Sequence, residues 1–114
     1  MHFGLIGKSL KHSFSERYFN VLFKKQGLVN YKYSLYEIDN IEKIRSLFDH
    51  DSLLKGVNVT IPYKKEIFDY LNEVEAAAAE IGAVNTIIIE RRVNDFYLKG
   101  YNTDFIGFER AYAS

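Results

Sequence analysis

The chain of 114 residues contains no cysteine, no tryptophan and a single proline. Without cysteine there is no disulfide framework, no thiolate nucleophile and no Cys-ligated metal. Net charge is missing too, since 15 basic residues balance 15 acidic ones and no basic block stands out. That argues against a nucleic-acid partner, whose phosphates call for clustered Lys and Arg. No apolar run reaches the roughly 18 residues of a membrane span. The start, Met1-His2-Phe3-Gly4, lacks the charged and apolar regions of a signal peptide. Three scattered histidines, His12 among them, have no metal-ligand spacing, so no metal is expected. Nucleotide loops are absent as well: Gly4-Leu5-Ile6-Gly7 is followed by Lys8-Ser9-Leu10, which is not G-x-G-x-x-G, and no G-x-x-x-x-G-K-[ST] occurs. What these absences leave is one cytoplasmic domain with a single core.

What is present is ring-rich. Hydrophobic residues make up 47% and aromatics 16%, all of them Phe or Tyr, so large rings are expected in the core. Phe3 to Gly7 reads as a short buried strand. Ser15 to Gly27 spaces Tyr18, Phe19, Leu22 and Phe23 as a helix, with Gly27 suited to its C-terminal cap. Tyr31 to Ile38 favours a strand, and Asp39 or Asn40 can cap a helix running to about Phe48. Leu53 to Val59 is the next strand, and Pro62 fits the first turn of a helix carrying Ile67, Phe68 and Leu71. Glu73 to Ile81 is alanine-rich and reads as helix, ending at Gly82. Thr86–Glu90 and Phe96–Tyr101 flank a polar turn at Arg91–Asp95 and form a β-hairpin. Thr103 onward is helical, with Phe105, Phe108 and Tyr112 on one face. Strands alternating with helices imply an α/β fold of three layers, α/β/α, around a mainly parallel, mixed sheet of about six strands that includes the hairpin.

This layout carries a geometric expectation. In a hairpin the start of the first strand lies beside the end of the second, so Asn85 approaches Asn102, Thr103 and Asp104. If Phe96–Tyr101 runs parallel to the strands ending at Gly7 and Val59, one sheet edge gathers Ser13, Ser15, Asn58, Thr60, Lys64, Asn85, Thr103 and Asp104. Convergent polar groups at strand ends are how open α/β sheets hold small molecules. Each residue also has a plainer reading. Ser13-x-x-Glu16 matches a capping box, Thr60 is a good N-cap, and Asp104 can complement a helix dipole. Asn58 and Asn85 suit turns, and Lys64 alone is an ordinary solvated lysine. The functional reading rests on the group acting together.

Four blocks then resemble one family. Gly7–Ser15 (GKSLKHSFS) is similar to the G-x-P-x-x-H-S-x-S opening of the shikimate dehydrogenase substrate-binding domain, and Asn58–Lys64 (NVTIPYK) to its central signature. Gly82–Thr86 (GAVNT) and Asn102–Gly107 (NTDFIG) resemble two further blocks, in the same order and spacing. The resemblance covers essentially the whole of 1–114 and implies reversible NADPH-dependent reduction of 3-dehydroshikimate to shikimate, in aromatic amino-acid biosynthesis. It implies that Ser13 and Ser15 bind the substrate carboxylate, that Asn58, Thr60, Asn85 and Asp104 hold its hydroxyls, and that Lys64 and Asp104 flank the reacting C–O group, with Lys64 the preferred acid/base. Lys64 can alternatively orient the oxygen or stabilise developing negative charge. Ser9 and Glu16 depart from the family, which has proline at both positions. The family's Rossmann domain, which binds NADP, has no counterpart in these residues, so no cofactor is expected on this chain and no turnover from it alone. A stand-alone shikimate- or quinate-type binding module, or an interaction domain without catalysis, is the alternative. The Phe105/Phe108/Tyr112 face suggests some self-association.

Overall fold

Alternation decides the first strand. In β1 (His2–Gly7), Phe3 and Leu5 point to one side and Gly4 and Ile6 to the other, and all are buried. A strand apolar on both faces belongs in the middle of a sheet. A computed structural model of the chain, which describes residues 1–11 and 13–103, places it there. The elements that follow are α1 (Ser15–Lys25), β2 (Lys32–Glu37), α2 (Ile44–His50), β3 (Leu54–Val59), α3 (Tyr63–Glu66), β4 (Glu73–Val74), α4 (Ala76–Ile81), β5 (Thr86–Arg92) and β6 (Asp95–Tyr101). The sheet has six strands in the order β2-β1-β3-β5-β6-β4. Only β5 is antiparallel to its neighbours, β3 and β6; the other pairings are parallel. The C-terminal ends of β1, β3 and β6 and the start of β5 therefore share one edge.

Two apolar clusters sandwich the sheet. Phe3, Leu5, Leu10, Phe19, Phe23 and Tyr33 pack beneath α1. There Phe19 stacks on Tyr33 with centroids 4.5 Å apart and planes 16° from parallel, the offset arrangement that aromatic pairs favour by about 1 kcal/mol beyond burial. On the other face Ile6, Ile44, Phe48, Val57, Ile67 and Ile87 are fully buried beneath the remaining helices. Gly27 and Gly82 close α1 and α4 in the left-handed region, at φ 71° and 78°, and Asn40 Oδ1 accepts from the Glu42 N–H at the turn leading into α2.

Some local expectations are corrected. Pro62 stands one residue before α3, after a cis Ile61–Pro62 bond, and the expected helix through Leu71 breaks into α3 and a 3-10 turn over Ile67–Tyr70. Glu73–Val74, read as helix from its Glu/Ala-rich run, is instead β4, the edge strand beside β6. Asn72 exchanges hydrogen bonds with Leu98 through its backbone N–H and its Oδ1, and the Glu75 N–H donates to Gly100 O. Pairing with β6 overrides local helix preference. The hairpin turn is tighter than expected, only Val93 and Asn94, because Arg92 pairs with Asp95 and Asn94 adopts φ 61°. Arg91, assigned to that turn, lies in β5 and reaches back to the end of α2.

The buried phenols predict the alkaline limit of this fold. Burial, aided by the nearby Asp51 carboxylate, pushes the Tyr36 hydroxyl up to about 12. Burial raises Tyr33 too, with a Ser15 side-chain hydrogen bond acting the other way. A phenol whose folded pKa exceeds its unfolded value of about 10 contributes fully below that pH and loses its contribution as pH rises through the folded value. The urea midpoint is thus expected to be insensitive to these groups up to about pH 10 and to fall between there and about pH 12. A flat midpoint across that window would contradict the half-buried, protonated placement of Tyr36 beside Asp51.

Candidate functional site

Three chain turns build the site. After β1, Gly7 O accepts from the Ile38 N–H at 3.0 Å and the Leu10 N–H donates to Glu37 Oε1 at 2.9 Å, so the loop is tied to the end of β2. That loop brings Ser13 and Ser15 to the start of α1. After β3, the Thr60 N–H donates to Ile6 O at 2.9 Å and the Tyr63 N–H to Thr60 O at 3.1 Å. Close approach matters at Gly7, where a Cβ would lie 2.6 Å from Thr60 Cγ2 and 2.7 Å from Leu10 Cδ2. The third turn precedes β5. There the Val84 N–H donates to Lys64 O, the Asn85 N–H to Tyr101 O, and the Val59 N–H to Asn85 O.

Between these turns lies a cavity of about 520 Å³. Ser13, Ser15, Asn58, Thr60, Lys64, Asn85 and Thr103 all line it, together with Ser9, Leu10 and Lys11. Seven of the eight residues expected at this edge are thus brought together. The eighth, Asp104, lies outside the described residues, as do His12 and the Phe105/Phe108/Tyr112 face. The hairpin expectation holds at the atomic level: the Thr103 N–H donates to Asn85 Oδ1 at 2.9 Å, and Asn102 Nδ2 to Ala83 O at 3.0 Å. The expected capping geometry is not seen at Ser13 or Thr60, although Ser13 still bonds the first N–H of α1. Ser13 Oγ accepts from the Ser15 N–H at 3.2 Å, Phe14 holds the N-cap position of α1, and its side chain makes no capping bond. No side chain caps α3, so Thr60 is not its N-cap either.

Sequence reasoning missed Tyr33 and Thr86. The Tyr33 hydroxyl reaches over β1 from β2 and donates to Asn58 Oδ1 at 2.9 Å. Thr86 stands directly opposite Asn58 in the β3–β5 register, where it accepts from Asn58 Nδ2 at 3.3 Å and donates to Asn85 Oδ1 at 3.1 Å. Asn58 and Thr86 are the buried polar side chains of the described core, 5% and 1% exposed, and their mutual bonding is what makes that burial tolerable. Tyr33 reads from its alternation as a core ring. Only the register of four strands makes it a polar partner.

Chemically the cleft is a set of hydroxyls and amides with two ammonium groups. Among the described lining residues the charged ones are Lys11 and Lys64, both exposed, and neither is countered there by a carboxylate. Such a cleft favours a small, hydroxylated anion. Among the described residues no group of His, Cys, Asp and Glu is placed to hold a metal ion. The β1–α1 connection differs from a dinucleotide-binding turn: Thr60 and Leu10 pack against Gly7, and α1 starts only at Ser15, without the glycine turn that brings backbone N–H groups onto a pyrophosphate.

Known proteins share the sequence and fold of this chain. The family model for the shikimate dehydrogenase substrate binding domain matches residues 5–87. A shikimate dehydrogenase (NADP(+)) of Clostridium beijerinckii is 45% identical over 108 residues, which is 93% of this chain and 38% of that protein. The crystal structure of shikimate dehydrogenase from Aquifex aeolicus superposes with a TM-score of 0.77 at 42% identity, covering 96% of this chain and 40% of that one. A shikimate 5-dehydrogenase from Listeria monocytogenes, solved in complex with shikimate and NAD, superposes with a TM-score of 0.75 at 33% identity, over 96% of this chain and 37% of that one. The chain therefore spans well under half the length of these relatives. With the family model matching residues 5–87 and the fold shared over 96% of its length with a member at 42% identity, the chain belongs to the shikimate dehydrogenase substrate-binding domain family.

Proposed function

We propose that the cleft binds shikimate and 3-dehydroshikimate, and that the chain acts as the substrate domain of an NADP-dependent shikimate dehydrogenase. The observation that carries this reading is the convergence of Ser13, Ser15, Asn58, Thr60, Lys64, Asn85 and Thr103 on one cavity whose described charged residues are both lysines. Ser13 and Ser15, at the mouth of α1, take the carboxylate. Asn58, Thr60 and Asn85 take the ring hydroxyls, a role the family resemblance extends to Asp104. Lys64 exchanges the proton of the reacting oxygen, since forming the ketone requires the hydroxyl proton to leave and reducing it requires one to arrive. NADP supplies or accepts the hydride from outside these residues, so the 114-residue chain by itself is expected to bind substrate without turning it over.

Calorimetric titration of shikimate into the chain tests this. A saturable single-site isotherm is expected, with Ser13→Ala and Lys64→Ala each weakening affinity by about tenfold, as loss of a hydrogen bond to a charged group implies. An isotherm that neither substitution alters would place the ligand elsewhere. No saturable heat at millimolar shikimate would contradict the proposal.

A further inference from the structure

We propose that Thr86 is a positioning residue: its hydroxyl passes to Asn58 the amide polarity that the Thr103 N–H sets at Asn85, so that the cleft meets its ligand with N–H donors at both positions. The argument begins at a backbone group whose polarity admits no choice. The Thr103 N–H can only donate, and it donates to the Asn85 side chain at 2.9 Å, which makes that atom Oδ1. Thr86 Oγ1 lies 3.1 Å from the same oxygen and must spend its single proton there. Having done so it can only accept from Asn58, 3.3 Å away, which turns Nδ2 of Asn58 toward Thr86 and Oδ1 away from it. The Tyr33 hydroxyl, 2.9 Å from that Oδ1, therefore donates.

One direction of hydrogen bonding thus runs from Tyr33 to Asn58 to Thr86 to Asn85, set by one backbone N–H at its far end. Amides are otherwise free to turn over, because their two ends are nearly isosteric. Here the turn is blocked: Asn85 flipped would set its NH2 against the Thr103 N–H, and Asn58 flipped would set its carbonyl oxygen against the lone pairs of Thr86 Oγ1, whose proton is already given to Asn85. Among the described residues the chain engages Oδ1 of Asn85, which accepts twice, and both Oδ1 and one Nδ2 proton of Asn58. What Asn85 and Asn58, both lining the cavity, have left to offer a ligand is N–H. Both positions then select oxygen lone pairs, which a hydroxyl and a ketone both possess and an ammonium lacks. A site with this polarity accepts the alcohol and the ketone form of a substrate alike. This consequence for the ligand rests on the proposed function; the amide polarity itself does not.

The experiment has two parts, both on the 114-residue chain. In the ligand-free protein, a scalar coupling across the hydrogen bond from the Thr103 backbone nitrogen to the Asn85 side-chain carbonyl carbon is expected, together with slowed solvent exchange of one Asn58 side-chain amide proton. Absence of the coupling, or rapid exchange of both Asn58 protons, would overturn the proposal whether or not any variant folds. In the second part, Thr86→Val should abolish the Asn58 protection and weaken shikimate about tenfold, and Thr86→Ser, which keeps the hydroxyl and drops the methyl, should restore both to within about twofold. A purely structural role would leave the serine variant as impaired as the valine one, and that result would also overturn it. Should shikimate fail to bind the unaltered chain, the proposed function falls, while coupling and exchange still decide the amide polarity.

Discussion

Replacing Lys64 with methionine is expected to lower kcat by about 10²–10⁴-fold in an enzyme that carries this chain as its substrate domain, the range typical for loss of a positioned proton-transfer group. The side chain is exposed to the cleft rather than packed in the core, so methionine of similar length removes the ammonium without opening a cavity. The residue's structural contribution is its backbone carbonyl, which accepts from the Val84 N–H at 2.9 Å and is retained in the variant. The melting temperature should therefore hardly move. Loss in kcat with KM changed by no more than about tenfold would mark an interaction made chiefly in the transition state. A variant with nearly full kcat and a large rise in KM would show instead that Lys64 only binds substrate.

The second large effect concerns stability. Arg91→Met is expected to cost about 2–4 kcal/mol of unfolding free energy, read from urea denaturation. The guanidinium donates from Nη1 to Phe48 O at 2.7 Å and from Nη2 to Asp51 O at 2.7 Å and Leu54 O at 2.8 Å. Those carbonyls lie in the last turn of α2, at its C-cap and at the first residue of β3, so a single side chain satisfies groups that helix termination leaves bare. A cation there also complements the helix dipole. Methionine keeps an apolar stem near the Phe96 ring, over which the Arg91 guanidinium sits at 5.8 Å, but removes the charged donor from all three carbonyls, of which Asp51 O keeps the Leu54 N–H at 3.2 Å. The gain is not the full sum of three charged hydrogen bonds, because burial opposes the cation, lowering its pKa, and Nε is buried without a partner. Arg91→Lys should recover only part of the loss, since an ammonium cannot reproduce the guanidinium's fork. A change below about 1 kcal/mol for methionine would contradict this account.

Arg91 also shows where sequence reading stops. In an Arg-Arg-Val-Asn-Asp run it looks like turn chemistry, and its role depends on α2 lying against β5, 40 residues away in sequence from Asp51. Tyr33 and Thr86 were hidden for the same reason: each acquires its partner only when β2, β1, β3 and β5 lie side by side in one register. Glu73–Val74 carries no strand signal and is extended because Asn72 and Glu75 bond to β6. By contrast, the alternation of β1, the hairpin and the placement of Asn85 beside Thr103 follow from local pattern and simple strand geometry. So does the gathering of Ser13, Asn58, Thr60 and Lys64, because parallel strands deliver their C-terminal ends to one edge. Local pattern thus named the groups that face the cleft, and long-range pairing supplied the groups that hold them.

The central claim is that this edge, and no other surface of the chain, receives shikimate. Following backbone and side-chain amide resonances of the 15N-labelled chain during a shikimate titration tests it most directly. Saturable shifts concentrated at Ser13, Ser15, Asn58, Thr60, Asn85 and Thr103, with the α2 and β4 resonances unmoved, are the predicted result. Shifts centred on another face, or none at millimolar ligand with the fold intact, would contradict it.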